Sequence, residues 1–175
     1  LSLSLSPNLT LNNNKLQYVR NLKADNNTRY INATINQETL SASIRLNYNI
    51  NPNLTVQYYA QPFISRGRYS NFKYITNSIA SKFKDRFQMY NDNQILFDSN
   101  NDVYLIDEDL NGSTDYEVKN PDFSFVQFRS NLVVRWEYIP GSEVFLVWSQ
   151  GITSYEDSSI DLFKGIETGI FNQKP

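Results

Sequence analysis

The chain has 175 residues, with 16 basic against 18 acidic side chains, a formal charge of −2, and neither cysteine nor histidine. Disulfide, thiolate, Ser-His-Asp and histidine-based zinc chemistry are therefore excluded within it, and the charge balance offers no basic footprint for nucleic acid. A mean hydropathy of −0.51 and the lack of a long apolar run exclude a membrane-spanning helix, but not a spanning barrel, in which every second residue is polar.

In chain order, residues 1–11 (LSLSLSPNLTL) alternate Leu with Ser and place Leu1, Leu3 and Leu5 on one face of a strand. Pro7 marks a bulge or an edge, because proline donates nothing to a ladder. Residues 12–27 are Asn-rich and turn-prone around a short LQYV run. Alternation returns at Arg29, with Ile31, Ala33 and Ile35 opposite Asn32, Thr34 and Asn36.

Residues 40–62 read as a hairpin. Leu40, Ala42, Ile44, Leu46, Tyr48 and Ile50 share one face, and Leu54, Val56, Tyr58 and Ala60 share one on the return. Parity asks for a three-residue loop at Asn51-Pro52-Asn53, with Ile50 opposite Leu54 and Asn53 in the left-handed position. The polar side then pairs Asn49 with Thr55, Asn47 with Gln57 and Arg45 with Tyr59.

Residues 125–151 repeat the design. Val126, Phe128, Leu132, Val134, Trp136 and Tyr138 alternate with Gln127, Arg129, Asn131, Arg135 and Glu137. A three-residue loop at Pro140-Gly141-Ser142 would set Tyr138 against Val144, Trp136 against Leu146 and Val134 against Trp148. Each apolar stripe spans about 9–11 residues, the length a tilted strand needs to cross a bilayer. A charged face opposite such a stripe is odd in a sandwich core and ordinary in a barrel lumen. Arg45, Arg129 and Arg135 either line an anion-preferring pore or pair with Glu137 and tyrosines.

Residues 65–122 are too long for a hairpin loop of a compact sandwich. Barrels of the outer membrane keep short turns inside and long loops outside, which assigns 65–122 to the cell exterior. Ile75, Ile79, Phe83, Phe87 and Tyr90 recur there at helical spacing and predict a short amphipathic helix.

Asp107, Asp109, Asn111, Gly112 and Asp115 follow the pattern D-x-D-x-N-G-x-x-D. Alternate oxygens before a turn glycine suit a hard cation such as calcium, which takes 6–8 oxygens. An EF-hand needs Glu at loop position 12, here Val118, so the fit is to the shorter calcium loops of extracellular modules; the competing reading is a metal-free Asx-rich turn. Asp98, Asn100 and Asp102 form a second, poorer acidic turn.

Three stretches resemble a known family: YAQPFISRGRYSNFK (59–73), NPDFSFVQFRSNLVVRWEYIPGSEVFLVWSQG (120–151) and the opening LSLSLSP. They are similar to the C-terminal barrel, classed as a domain of unknown function, of Bacteroidota outer-membrane proteins that carry an N-terminal module like the family 9 carbohydrate-binding modules. The resemblance implies a transmembrane barrel in the outer membrane, cell-surface loops and a link to glycan handling or transport, and supplies no catalytic residues. Relatives of this kind end in a further strand closing on aromatic residues, whereas this chain ends Ile170-Phe-Asn-Gln-Lys-Pro175.

The expectation is thus an all-β antiparallel meander of long strands, residues 1–175 as one partial domain, the C-terminal part of a membrane β-barrel with the extracellular insertion 65–122. About five membrane strands are expected, near 1–11, 38–50, 54–64, 124–138 and 143–153, fewer than the eight of the smallest barrels. Its partners would be outer-membrane lipid, the remaining strands of the barrel and glycan, its cofactor calcium, and its role binding or transport rather than catalysis. The alternative is a soluble, secreted carbohydrate-binding β-sandwich.

Overall fold

A computed structural model describes residues 1–24 and 27–171. The chain divides into two compact units: Leu1–Leu11, Gln37–Gly67 and Phe123–Pro175 form the first, Asn12–Asn36 and Arg68–Asp122 the second. Three long strands, β1 (Ser2–Ala24), β2 (Asn27–Asn51) and β3 (Leu54–Ile75), contribute residues to both. Four short strands follow: β4 (Phe87–Met89), β5 (Ile95–Asp98), β6 (Val103–Ile106) and β7 (Tyr116–Lys119). The long strands β8 (Phe123–Ile139) and β9 (Ser142–Tyr155) complete the set. One sheet has the order β1-β2-β3-β8-β9 with β4 paired to β3; the other has the order β5-β6-β7.

The fold is therefore mostly β, a meander of long antiparallel strands, as alternation in the sequence requires. Among the described residues no helix is long and apolar enough to cross a membrane, which says nothing of strands. Pro7 lies in β1, an edge strand of the sheet, where its missing N–H is tolerated.

In the first unit the β8–β9 turn differs from the expected three-residue loop. Trp136 pairs with Val144, Val134 with Leu146 and Leu132 with Trp148, a two-residue shift from the register parity suggested. The turn itself is Pro140-Gly141, and an irregularity between Glu137 and Ile139 absorbs the odd residue, Tyr138. A bulge adds one residue to one strand, so the apolar face is preserved with a tighter turn. Gly141, at φ 82°, supplies the left-handed position. At the other hairpin Asn53 is not left-handed, since positive φ among described non-glycine residues occurs at Asn71, Asp102 and Leu110. The turn is held instead by the Asn51 side chain, whose Oδ1 accepts from Asn53 N at 2.9 Å.

The polar face of this unit is internally paired where its charges are densest. Arg135 Nη2 bonds Glu143 and lies 3.7 Å from Glu137, and the Arg45 guanidinium sits 5.4 Å from the Tyr59 ring centroid. Arg135 with Glu137 and Arg45 with Tyr59 are pairings the sequence suggested. On the apolar face, Ile64 and Val126 are buried with Ile170, with Leu40, Phe128, Ile152, Leu162 and Ile166 packed around them. The cover comes from helix α1 (Leu162–Ile166) and the π-turn Glu167–Phe171, started by Asp161, whose Oδ1 accepts from Phe163 N at 2.9 Å. Gly165 and Gly169 make the approach: a Cβ would meet Ile64 Cδ1 at 2.7 Å and Val126 Cβ at 3.0 Å. Residues 172–175, the end compared above with an aromatic closing strand, lie outside the described residues.

The second unit differs from expectation in three places. The Asn-rich stretch 12–24 is strand rather than turn; Asp25 and Asn26 lie outside the described residues. Asn13 bonds laterally to the Asn36 side chain, Leu16 O accepts from Asn32 Nδ2 of β2 at 3.2 Å, and Asn14 bonds within the strand to Gln17 and Leu16 N, while Val19, Leu22 and Ala24 pack on the core. The helix expected across residues 75–90 reduces to one 3-10 turn, Phe83–Arg86. Ile75 pairs with Phe87 and Lys73 with Met89 in the β3–β4 ladder, so residues spaced like one helical face are shared between two strands. Residues 65–122, expected as a loop, hold the end of β3 and all of β4 to β7. The core of the unit is Ile31, Ala33, Phe72, Tyr74, Tyr90, Ile106, Tyr116 and Val118.

Candidate cation-binding loop

Residues 107–115 connect β6 to β7, whose register sets Ile106 opposite Tyr116. Asp115 N donates to Ile106 O at 2.8 Å and Asp107 N to Gln94 O at 2.9 Å, so both ends of the loop are fixed to backbone. Between them the chain turns through Leu110 (φ 60°) and Gly112 (φ 88°), the second requiring no Cβ to be accommodated.

This turn brings Asp107, Asp109 and Asp115 together, each offering a carboxylate oxygen within 4.8 Å of the others. Backbone amides hold them there. Gly112 N donates to Asp107 Oδ2 at 2.8 Å, Asn111 N to Asp107 Oδ1 and Asp109 Oδ1 at 3.1 Å each, and Glu108 N to Asp115 Oδ2 at 2.7 Å. Asn111, the remaining residue of the motif, donates its Nδ2 to Asp109 Oδ2 at 3.0 Å and accepts from Ser113 N at 2.8 Å, so it braces the loop. A carboxylate oxygen carries two lone pairs, and those not engaged by amides remain for a cation. With oxygen donors alone the set suits hard cations such as calcium rather than zinc or copper.

The second acidic turn is built differently. Asp98 caps its own turn, accepting from Asn100 N at 2.9 Å and from Asn101 Nδ2 at 2.7 Å, while Asp102 accepts from Asn120 Nδ2 at 2.9 Å. The Asn101 side chain, then the backbone amides, hold the Asp98 carboxyl below the usual range. Asp98 and Asp102 are thus each engaged by an asparagine side chain, Asn101 and Asn120.

Glu108, lying between Asp107 and Asp109, turns away from the cluster. Arg29 grips its carboxylate bidentately, Nη2 at 2.7 Å and Nε at 3.1 Å. Tyr116 OH donates to the same carboxylate, and Tyr90 OH lies 2.8 Å from Tyr116 OH as the next donor in the chain. Arg29 also stacks 5.1 Å from the Tyr74 ring centroid, and Gln94 Nε2 donates to Glu108 O at 2.7 Å. Burial pushes the Tyr116 and Tyr90 hydroxyls well above the ordinary tyrosine value, and for Tyr116 the bond to Glu108 adds to it. The Glu108 hydrogen bond raises Arg29 against the opposing effect of burial.

This network anchors the cation loop to the core of its unit, and sequence reasoning missed it. The local signal, one Glu between two Asp, was present; the partner Arg29 is 79 residues away and left none. No curated protein and no solved structure matches the chain. A family match extends over nearly all of it: with residues 1–174 matched, the chain belongs to the family described as Domain of unknown function (DUF5916).

Proposed function

We propose that the chain forms the C-terminal part of an outer-membrane β-barrel with a surface-binding or transport role linked to glycans, and not a catalytic one. The observation that carries this reading is an apolar face that, among the described residues, has no protein cover toward the hairpin turns of the first unit. There Trp136, Leu146 and Trp148 are 52%, 62% and 58% exposed on long antiparallel strands, opposite a face carrying Arg135, Glu137 and Glu143. Lipid covers such a stripe in a barrel and water fills the charged side. The strands β1 and β9 end the sheet, and unpaired backbone costs several kcal/mol per group in hydrocarbon, so the barrel's remaining strands pair along both edges. The turns at Pro52 and Pro140 then face the periplasm and residues 65–122 the exterior, where calcium binds Asp107, Asp109 and Asp115 in the loop braced by Asn111.

A soluble, secreted carbohydrate-binding β-sandwich is the second reading. The packing of the C-terminal helical segment on Ile64 and Val126 favours it, because part of the apolar face is thereby covered by protein. Electrophoretic mobility before and after boiling, on membrane and soluble fractions of cells making the full-length protein, separates the two. A heat-modifiable outer-membrane band supports the barrel. A soluble band of unchanged mobility overturns it and directs work to glycan-binding screens.

A further inference from the structure

A cavity of about 380 Å³ in the second unit, within the size range of small-molecule pockets, has a buried cation in its wall. Lys73 is 3% exposed. Its ammonium donates to Lys15 O at 2.8 Å and to Thr34 Oγ1 at 3.3 Å, and lies 5.1 Å from the Phe87 ring centroid. All three partners line the cavity with it. Among the described residues no carboxylate lines this cavity, and none forms an ion pair with Lys73 or Lys15.

Burying a charge without a counter-ion is costly, and buried charges are ordinarily paired. Lys73 has hydrogen bonds to neutral oxygens in place of that pair, and one of its three N–H donors remains. Burial, reinforced by Lys15, lowers its pKa, as expected for an ammonium whose compensating charge is not supplied by the protein. The rest of the wall divides by chemistry. Asn13, Asn36 and Ser70 offer neutral donors and acceptors, while Phe83, Phe87 and Met89 form an apolar side, with the two phenyl rings edge to face at 5.3 Å.

We propose that this cavity binds a small oxyanion, a carboxylate or phosphate carried on a hydroxylated body, with the anionic group on Lys73, Lys15 supporting it, and the hydroxyls on Asn13, Asn36 and Ser70. The site involves none of the residues of the cation loop and does not depend on the membrane assignment. An anion there supplies the counter-charge, and its hydroxyls meet side chains that hydrogen-bond without bearing charge.

Titration calorimetry on the purified full-length protein tests this with glucuronate, glucose 6-phosphate and glucose as probes. One or both anionic sugars bind at least about tenfold more tightly than glucose, the discrimination expected of a charge-assisted contact, and their order tells which oxyanion the site prefers. Lys73→Met keeps the volume and removes the charge. Because the unpaired ammonium is a cost to the free protein, this variant melts no lower than the wild type while anion binding falls about tenfold or more. If Lys73→Met does not fold, Lys15→Gln and Asn36→Ala, both at exposed positions, carry the test, each weakening binding several-fold. Glucose binding as tightly as the anions, no anion binding at tens of millimolar, or binding indifferent to these substitutions would each overturn the proposal.

Discussion

In the second unit Ile31, Ile106 and Val118 are fully buried, and Tyr90 and Tyr116 end in a hydrogen-bonded chain to Glu108 and Arg29. In the first unit Trp136, Leu146 and Trp148 stand in the open on strands that are just as regular. Regular pairing therefore says little about where apolar surface goes. Where short strands pack with the long ones, as Ile106, Tyr116 and Val118 do with Ile31, Ala33, Phe72 and Tyr74, the apolar face is buried, whereas long strands running past such cover leave that face to whatever surrounds them. Burial stabilises by roughly 25 cal/mol per Å² of apolar surface removed from water, so the second unit carries its stabilisation internally, whereas the first has the smaller cluster around Ile64 and Val126 and, on the proposal above, lipid along its open stripe.

The largest effect should come from breaking the closed core. Ile106→Ala removes a fully buried side chain and is expected to cost about 2–5 kcal/mol, read as loss of amide-exchange protection concentrated in β5, β6 and β7. Protection lost equally in β8 and β9 would mean that the two units unfold as one.

A charge at Val134, paired with Leu146 in the first unit, tests what surrounds the open stripe. Val134→Arg near a bilayer midplane costs about 2–4 kcal/mol, measured as loss of folded, heat-modifiable protein in the outer-membrane fraction. A negligible loss would mean that water, not lipid, meets this face.

The Glu108 network comes next. Glu108→Ala leaves Arg29 and the Tyr116 hydroxyl without their carboxylate. The Arg29 and Glu108 side chains are 26% and 17% exposed, which discounts the penalty of a fully buried pair to about 2 kcal/mol. High pH weakens the same unit. The folded-state pKa values of Tyr90 and Tyr116 are raised, so their contribution is complete below the ordinary tyrosine value near 10 and declines as pH rises beyond it. The slope cannot exceed about 1.4 kcal/mol per pH unit for each tyrosine, and solvent reaching the hydroxyls lowers it. Denaturant midpoints at pH 9 and above, for the wild type and for Tyr90→Phe, check this; a midpoint equally pH-dependent in the variant would assign the slope to other groups.

The contrast between the units also explains what was legible in the sequence. In the first unit each strand's face can be read from alternation alone, because Val126, Phe128, Leu132, Val134 and Trp136 repeat with period two. The register cannot be read this way, since a bulge at Tyr138 changes the pairing by two residues and leaves every face unchanged. In the second unit the strands ILFD, VYLI and YEVK have only four residues each, too few for a period to stand out. The helical stripe from Ile75 to Tyr90 was misleading because the β3–β4 ladder brings Ile75 and Phe87 together across strands. Asp107, Asp109 and Asp115 were legible as a cluster because one short loop contains all three. Lys73 and Glu108 were not, since their partners Thr34 and Arg29 lie in β2, 39 and 79 residues away along the chain.

The smallest effect, and the one that most sharpens the comparison, concerns calcium. Loops of extracellular modules bind it with dissociation constants near 10⁻⁴–10⁻³ M. At about 2 mM calcium, linkage then gives roughly 0.6–1.8 kcal/mol, and it must appear in the second unit, because Asp107, Asp109 and Asp115 all belong to it. Asp109→Asn removes one charged ligand but keeps an oxygen that can accept from Asn111 N, so it should lose most of this gain while leaving calcium-free stability nearly unchanged. Asn111→Ala should behave differently, lowering stability with and without calcium, because its side chain braces Asp109 and Ser113. Exchange protection measured in calcium and in chelator distinguishes the two variants. If Asp109→Asn retained the full gain, the cluster would be an Asx-type turn whose carboxylates serve only their own backbone amides, and the calcium effect would have to come from elsewhere in the chain.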